Sequence, residues 1–192
     1  MAKILGDNKI FLEKVRLAFP HLDTVSPKTG KYGCALIFGK DSEEAKLLEE
    51  TILKVAKEGF GSRADKVLAG MKRTDKYPLK DGDTKADYAG YAGMAFCNAN
   101  SNVAPTCITR DRRVMNEQEI KEFMYAGAVV NAIVALYKYD SSKGGGDGVG
   151  VGLQGVQFVE NAERFSGGGK AKAEEFPELP PLEEDETAAA FG

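Results

Sequence analysis

The chain has 192 residues, 29% of them charged, and a formal net charge of −3. This length fits one domain of ordinary globular composition, and no apolar run approaches the ~20 residues that a membrane span needs. A single histidine and three cysteines without a CxxC pair exclude a His-paired metal site and the usual zinc spacings, and they predict free, buried thiols in a reducing compartment at Cys34, Cys97 and Cys107.

Two strands are predicted at the start of the chain. Residues 9–19 alternate between apolar and polar side chains, and Pro20 ends the run because proline cannot donate a ladder hydrogen bond. The apolar face of this strand is expected to hold Phe11, Val15, Leu17 and Phe19. Residues 32–38 are apolar almost throughout, so we expect this strand to lie centrally in the sheet.

A helix is predicted next, because apolar residues recur at helical spacing from Ala45 to Ala56. Asp41 or Ser42 is the expected N-cap, acids occupy the first turn, and glycines at positions 59 and 61 end the helix. A shorter helix is predicted around residues 64–71. Residues 72–87 are polar and predict a long loop.

The second half of the chain predicts four more strands with irregular connections. They are expected over residues 88–98, 103–109, 128–139 and 149–159, with a short helix over 117–124 that Asn116 caps. Most strands are separated by loops and not by crossover helices. This pattern favours a mainly β fold, an antiparallel and curved sheet that closes on itself with helices inserted between strands. We assign residues 1–160 to this domain.

The C-terminal residues differ from the rest in composition and charge. Residues 161–173 predict a linker rich in Gly and Lys, and residues 174–192 predict a disordered tail with seven acids and no Lys or Arg. The rest of the chain therefore holds all 26 basic residues against 22 acids, a net charge near +4. Such a tail can imitate a polyanion, so we expect it to compete with nucleic acid and to recruit partners. The residues expected to do so are Glu183, Glu184, Asp185, Glu186 and Phe191.

Features that could carry catalysis are weak, and no cofactor or metal is predicted. His21 stands alone and is expected in a loop or on the surface. The run Gly148-Val-Gly-Val-Gly152 lacks the spacing and the following helix of a dinucleotide-binding loop, so a mobile hairpin loop is predicted. Asp81, Asp83 and Asp87 form the one carboxylate cluster that could bind Mg²⁺, and a solvated turn is the simpler interpretation.

Aromatic residues interleaved with basic residues are the main functional pattern. Single-stranded nucleic acid is held in this way, because rings stack on bases, each worth ~1–3 kcal/mol, while cations line the phosphates. Tyrosines in strands also commonly pack at a core edge, so the group carries the argument more than any member. The candidate ssDNA-binding residues are Lys72, Arg73, Lys76, Tyr77, Lys80, Lys85, Tyr88, Tyr91, Arg110, Arg112, Arg113, Tyr137, Lys138 and Tyr139. Phe96 and Phe158 are expected in the core.

Five parts of the sequence also carry a family resemblance. They are residues 12–20, residues 32–40 with the Glu-rich helix that follows, residues 77–83, residues 125–139, and residues 150–157. In this order they resemble the phage-encoded single-stranded DNA-binding proteins with an OB-fold. The resemblance implies a five-stranded barrel, sequence-tolerant binding of single-stranded DNA, and roles in phage replication, recombination and repair. It also implies an acidic tail that ends in an aromatic residue, whereas Phe191 is penultimate here and is separated from the acids by residues 187–190.

We therefore predict a non-enzymatic protein that coats single-stranded DNA in the host bacterial cytoplasm. Its expected partners are single-stranded DNA and, through the tail, replication proteins such as a DNA polymerase or helicase. No membrane partner is expected, and a homodimer is conceivable although no residue argues for it. Two alternatives stay open: a Mg²⁺-dependent nuclease that uses Asp81, Asp83 and Asp87, and a phage structural or interaction module whose tail is only a solubiliser.

Overall fold

Residues 1–165 form eight strands and three α-helices. In chain order they are β1 (Lys3–Ile4), β2 (Lys9–His21), β3 (Tyr32–Gly39), α1 (Glu43–Phe60), α2 (Ala64–Arg73), β4 (Lys80–Asp81), β5 (Met94–Ser101), β6 (Thr106–Ile108), α3 (Glu117–Phe123), β7 (Val129–Tyr139) and β8 (Gly148–Glu160). Short 3₁₀ turns cover Gly61–Arg63, Gly82–Lys85 and Ser141–Lys143. The computed structural model describes residues 1–165 and 177–178, and no helix in these ranges is long and apolar enough to span a bilayer.

Five long strands close into a barrel. β2 pairs with β3 and β7, β3 pairs with β5, and β7 pairs with β8, all antiparallel. A parallel contact between Asn100 of β5 and Gly152 of β8 completes the circle, and the short strands β1, β4 and β6 extend the sheet at its edges. The predicted five-stranded barrel with inserted helices is confirmed, although its closing contact is parallel.

Alternation along the strands divides side chains between the barrel interior and its outer surface. The interior is apolar, with Leu36, Cys97 and Val134 among its fully buried residues, and α1 packs its own apolar face against β2, β3 and β7. All three cysteines are free and buried, as predicted. Burial raises the pKa of Cys97 to about 12 and that of Cys107 to about 11, so both are protonated thiols at neutral pH.

Two bulges in β2 change the predicted face of this strand: Val15 and Leu17 are buried as predicted, but Phe11 and Phe19 are not. The register shifts between Leu12 and Val15, where Lys14 has a φ of 51°, and again between Ala18 and His21, where Phe19 has a φ of 46°. A bulge adds one residue to one strand and so changes which side chains point inward. The interior therefore receives Ile10, Leu12, Val15 and Leu17, whereas Phe11 is half-buried and Phe19 is exposed. β2 also continues through Pro20, which lies within the second bulge.

Other boundaries differ in informative ways. β5 begins at Met94 and not at residue 88, because the 3₁₀ turn Gly82–Lys85 is followed by a loop of turns up to residue 93. A 2.7 Å hydrogen bond from Gly93 N to Asp83 Oδ1 closes this loop. The run from Gly148 to Gly152 is the start of β8 and not a mobile loop. Phe96 is fully buried, as expected, but Phe158 is only half-buried against Phe123.

The residues that follow β8 fold back onto the barrel, past the predicted domain boundary at residue 160. Arg16 holds them, with Nε 2.7 Å from Gly127 O, Nη2 2.8 Å from Glu163 O, and its guanidinium 4.6 Å from the Phe165 ring centroid. A Cβ on Gly127 would lie 2.1 Å from Glu163 O, and a Cβ on Gly90 would lie 2.2 Å from the Phe165 ring. These glycines make room for residues 161–165, here termed the clasp.

Candidate nucleic-acid interface

Tyrosine rings lie over bare glycine backbone where β7 and β8 meet. Tyr137 pairs with Gly150, and Tyr139 pairs with Gly148. Directly opposite residues of antiparallel strands point to the same side, so a Cβ on Gly150 would lie 2.6 Å from the Tyr137 ring and one on Gly148 would lie 2.4 Å from the Tyr139 ring. Tyr137 is 49% exposed, whereas Tyr139 is half-buried. Glycine at alternate positions of β8 therefore leaves an open face beside a half-exposed ring.

Lysines and asparagines border these rings. Asn98 and Asn100 lie exposed on the outer face of β5, and with Lys76 and Lys80 they line a concavity of about 240 Å³ beside Tyr137. Lys80 Nζ lies 2.8 Å from Asp75 Oδ1, which offsets its charge, but Lys76 has no carboxylate partner within residues 1–165. The tyrosine groove is defined here as Lys76, Lys80, Asn98, Asn100, Tyr137, Tyr139 and Gly150. Sequence reasoning missed the two asparagines, although their alternation with Ala99 in an apolar strand was a usable signal.

Two of the predicted stacking residues, Tyr77 and Tyr91, are buried. The Tyr77 hydroxyl donates a 2.8 Å hydrogen bond to Glu49 Oε1 of α1, and burial followed by this bond raises the pKa of Tyr77. Tyr91 is 1% exposed and packs edge-on against Phe96 at 5.0 Å between centroids. Neither ring has a free face for a base. The loop over residues 82–93 turns Tyr91 inward onto the barrel wall.

A second aromatic patch lies on the outer face of β2, β3 and β5. Phe19 and Tyr88 contact edge to face at 5.5 Å, and they are 50% and 54% exposed. Phe96 is buried next to this patch, and Lys85 Nζ lies 5.0 Å from the centroid of its ring. Phe96 and Asn98 both point outward from β5, so the outer face of this strand connects the patch with the tyrosine groove. Phe19 was missed because the bulge that exposes it has no local signature.

Three other predicted residues lie elsewhere. Lys72 Nζ lies 4.5 Å from the centroid of the buried Tyr77 ring, and Arg73 lines a basic cleft of about 410 Å³ with Arg63 and Lys66 beside the loop between β7 and β8. Lys138 Nζ donates a 3.1 Å hydrogen bond to Gly59 O, because alternation points it away from Tyr137 and toward the end of α1. Lys138 therefore does not join the groove.

The turn over residues 109–113 divides its arginines between two roles. Arg113 makes a bidentate pair with Glu119, at 3.0 and 2.6 Å, and this pair lowers the pKa of Glu119 to about 2. Glu119 also completes the capping box of α3 with Asn116. Arg110 and Arg112 are exposed and have no carboxylate partner within residues 1–165. The predicted cations thus lie in several places and not in a single cleft.

A lysine lies between the carboxylates that could have bound Mg²⁺. Lys40 Nζ is 2.7 Å from Asp81 Oδ1 and 2.5 Å from Asp83 Oδ2, and these hydrogen bonds lower the pKa of both acids. Asp83 Oδ1 is taken by Gly93 N. Within the described ranges, no group of three His, Cys, Asp or Glu side chains is arranged to hold a metal ion. The cluster is therefore an ion-paired turn, which removes the observation on which the nuclease alternative depended.

Comparisons with known proteins agree on one family. The family model described as the ssDNA-binding protein of Enterobacter phage Enc34 matches residues 8–188. Putative protein p50 of Acyrthosiphon pisum secondary endosymbiont phage 1 is 35% identical over 191 residues, which cover 95% of this chain and 100% of that protein.

Solved structures give the same picture. The bacteriophage Enc34 single-stranded DNA-binding protein in complex with ssDNA matches with a TM-score of 0.71 and 25% identity, over 84% of this chain and 91% of that chain. The bacteriophage T7 single-stranded DNA-binding protein gp2.5 matches over 92% of this chain and 100% of its own, with a TM-score of 0.55 and 14% identity, and that likeness shows the fold alone. The predicted OB-fold class is confirmed.

Proposed function

We propose that this chain, which belongs to the family of the single-stranded DNA-binding protein of Enterobacter phage Enc34, binds single-stranded DNA along the tyrosine groove. The membership confirms the family resemblance of the sequence, and proteins of this family are not enzymes. The observation that supports the groove is Tyr137, a half-exposed ring on bare glycine backbone. It lies beside Lys76, which has no carboxylate partner among residues 1–165.

This geometry suits a ligand with flat apolar faces joined by negative charges. A base stacks on Tyr137 while Lys76 and Lys80 lie near its phosphates, and every nucleobase has such a face, so binding tolerates any sequence. Asn98 and Asn100 supply amide groups that both donate and accept hydrogen bonds and so accommodate the edge of any base. The groove therefore predicts binding without sequence specificity.

Bound DNA can continue from the groove over two neighbouring surfaces. Lys85 and Tyr88, with Phe19, continue the outer face of β5 in one direction. Arg110 and Arg112, which pair with no carboxylate in the described part of the chain, lie near the far end of β8. Counterion release from these contacts makes the affinity fall as salt rises, with a slope of about −0.7 per phosphate neutralised on a single strand.

The acidic tail lies outside the described residues, apart from residues 177–178. We propose from its charge that Glu183, Glu184, Asp185 and Glu186 compete with DNA for the basic body, and that the same segment with Phe191 recruits replication proteins such as a polymerase or helicase. Replication, recombination and repair in the host cytoplasm are the roles that fit this combination. The described residues assign no surface to a homodimer.

A titration of fluorescent oligo(dT) with Tyr137→Ala tests the groove. Loss of one stack lowers the affinity by about 5- to 150-fold, which corresponds to ~1–3 kcal/mol. Leu53→Ala on α1 is the matched control, since Leu53 is 47% exposed and does not line the groove, and it should bind like the wild type. Equal affinities for all three proteins would exclude the groove. The absence of saturable binding by the wild type would select the structural or interaction module.

Deletion of residues 174–192 tests the tail. At low salt the truncated protein should bind oligo(dT) more tightly than the full chain, and the two affinities should converge as salt screens the tail. Weaker or unchanged binding at low salt after truncation would contradict competition by the tail while leaving the groove intact.

A further inference from the structure

A second concavity on the outer surface, of about 320 Å³, lies toward the other end of β8. One row of residues crosses four strands there, because Phe11 pairs with Ile133, Ile133 pairs with Gly155, and Gly155 pairs with Thr106. Gly155 has no side chain, so it leaves a notch between its two neighbours in the row. The Phe11 pocket is defined here as Lys9, Phe11, Thr106, Ile133, Gln154 and Gly155.

The chemistry of the Phe11 pocket is apolar walls with cations at the rim. Phe11 and Ile133 form the walls, and Lys9 lies at the edge. Lys3 Nζ lies 5.3 Å from the Phe11 ring centroid, and the turn that carries Arg110 is held at the opposite side by a 3.3 Å hydrogen bond from Gln157 Nε2 to Arg110 O. A flat apolar group joined to a negative charge fits this arrangement.

Polar groups in the pocket do not impose a fixed hydrogen-bond pattern. Asn131 Nδ2 donates to Gln157 Oε1 at 3.0 Å, and Gln157 Nε2 is taken by the carbonyls of Thr109 and Arg110, so these amides stiffen the floor. Gln154 is exposed, and its amide can donate or accept. The pocket therefore accepts any nucleobase that it can hold by contact with the ring.

The Phe11 pocket is continuous with the tyrosine groove. An intermediate concavity of about 480 Å³ shares Thr106 and Gln154 with the pocket, and it shares Asn100 and Tyr137 with the groove. The floor from Gly150 to Gly155 is one strand, so the two sites lie ~17 Å apart along β8 at ~3.3 Å per residue. A single strand of a few nucleotides reaches both.

We propose that the Phe11 pocket holds one nucleobase of a single-stranded DNA whose other bases lie in the tyrosine groove, with phosphates against Lys9 and Arg110. This inference rests on the proposed function, because the same strand occupies both sites. The ligand is a strand and not a free nucleotide, since the pocket is an end of a trough that already begins at Tyr137.

Oligo(dT) of increasing length tests the proposal on the full chain. Lengths from about 3 to about 16 nucleotides cover the ~4–16 nucleotides that one OB-fold binds. The affinity of the wild type should rise in a second step at the length that reaches the pocket. Phe11→Leu removes the ring but keeps an apolar side chain at a half-buried position, so the fold is retained. The affinity of Phe11→Leu for the longer oligonucleotides should be about 5- to 150-fold lower than that of the wild type, whereas its affinity for the shortest oligonucleotides should be unchanged.

Gly155→Val fills the notch and should give the same result as Phe11→Leu, whereas Leu53→Ala should behave like the wild type. Affinities of Phe11→Leu that match the wild type at every length would overturn the pocket while the groove stands. Unchanged binding by Tyr137→Ala would instead refute the groove, which is a separate outcome of the same titration.

Photocrosslinking locates the base directly. Oligonucleotides that carry one 5-iodouracil at successive positions should crosslink to the peptide containing Phe11 from one terminal position only. Crosslinks from every position or from none would overturn the assignment, and so would thymidine monophosphate that competes as well as the strand does.

Discussion

Replacing Tyr91 by Phe should stabilise the protein. Tyr91 is 1% exposed, and within residues 1–165 its hydroxyl has no hydrogen-bond partner. A buried hydroxyl that is not paired costs about 1–3 kcal/mol in desolvation. Phe keeps the ring and its contact with Phe96 and removes only the oxygen. The free energy of unfolding at neutral pH should therefore rise by about 1–3 kcal/mol, which raises the melting temperature by about 2–12 °C for a chain of this size.

The gain should increase at alkaline pH. Burial raises the pKa of Tyr91 from 10.0 to about 12, so the fold favours the neutral phenol. In the unfolded chain Tyr91 ionises near pH 10, whereas in the folded protein it stays neutral up to about pH 12. The wild type therefore loses stability as the pH rises from 10 toward 12. A difference of this size in pKa is worth about 3 kcal/mol, and Phe does not titrate.

Urea unfolding of both proteins at neutral pH and at several values above pH 10 measures this effect, since the other tyrosines and the lysines titrate in both and cancel in the difference. Tyr88→Phe is the control, because that ring is 54% exposed and its hydroxyl is not buried. A variant that is less stable than the wild type at neutral pH, or a stability difference that does not grow above pH 10, would refute the reasoning.

Three further predictions concern other parts of the fold. Gly150→Val should displace the Tyr137 ring, whose contact with a new Cβ would be 2.6 Å, and titration with oligo(dT) should show an affinity at least about 5-fold lower without loss of thermal stability. The Glu119 pKa is lowered to about 2 by Arg113, so its contribution is present above pH 4.5 and is lost as pH falls toward 2; unfolding curves of Glu119→Gln and the wild type should therefore converge in acid, and a constant gap would contradict this. Arg16→Ala removes two hydrogen bonds from a charged group, so the free energy of unfolding should fall by about 2 kcal/mol and limited proteolysis should cleave the clasp sooner; unchanged digestion would show that Arg16 does not hold it.

The fold was predictable where local signals and the global architecture agree. The apolar run of β3, the Ser42 cap of α1 and the Asn116 cap of α3 all appear where periodicity and capping residues predict them. The bulges at Lys14 and Phe19 were not predictable, because an extra residue in β2 is fixed by its pairing with β3 and β7, which lie far away in sequence. A single missed bulge reverses the faces of a strand, which is why Phe19 was assigned to the core.

The chemistry of the candidate binding surface could be predicted from the sequence, but which tyrosine rings are exposed could not. Tyr77 and Tyr137 both lie next to lysines in the sequence. They differ in the fold because Glu49 on α1 accepts a hydrogen bond from the hydroxyl of Tyr77, which is buried. The Phe11 pocket has no local motif, because its row of residues comes from four strands. Spacing in the sequence therefore pointed to the ligand class, while the barrel decides which side chains lie open on its outer surface.

The clasp attaches the C-terminal segment to one point on the barrel surface. Because Phe165 is anchored on the barrel, the 27 residues that follow it all start from one point on the surface. Their contour length is at most ~97 Å at ~3.6 Å per residue, whereas a body of this size has a radius of gyration of only ~15 Å. The proposed competition between the tail and DNA is therefore intramolecular, so the effective concentration of the tail's acids, of millimolar order for a short linker, does not fall when the protein is diluted. Competition between the tail and DNA should therefore not depend on the protein concentration, and it should weaken only as the ionic strength rises.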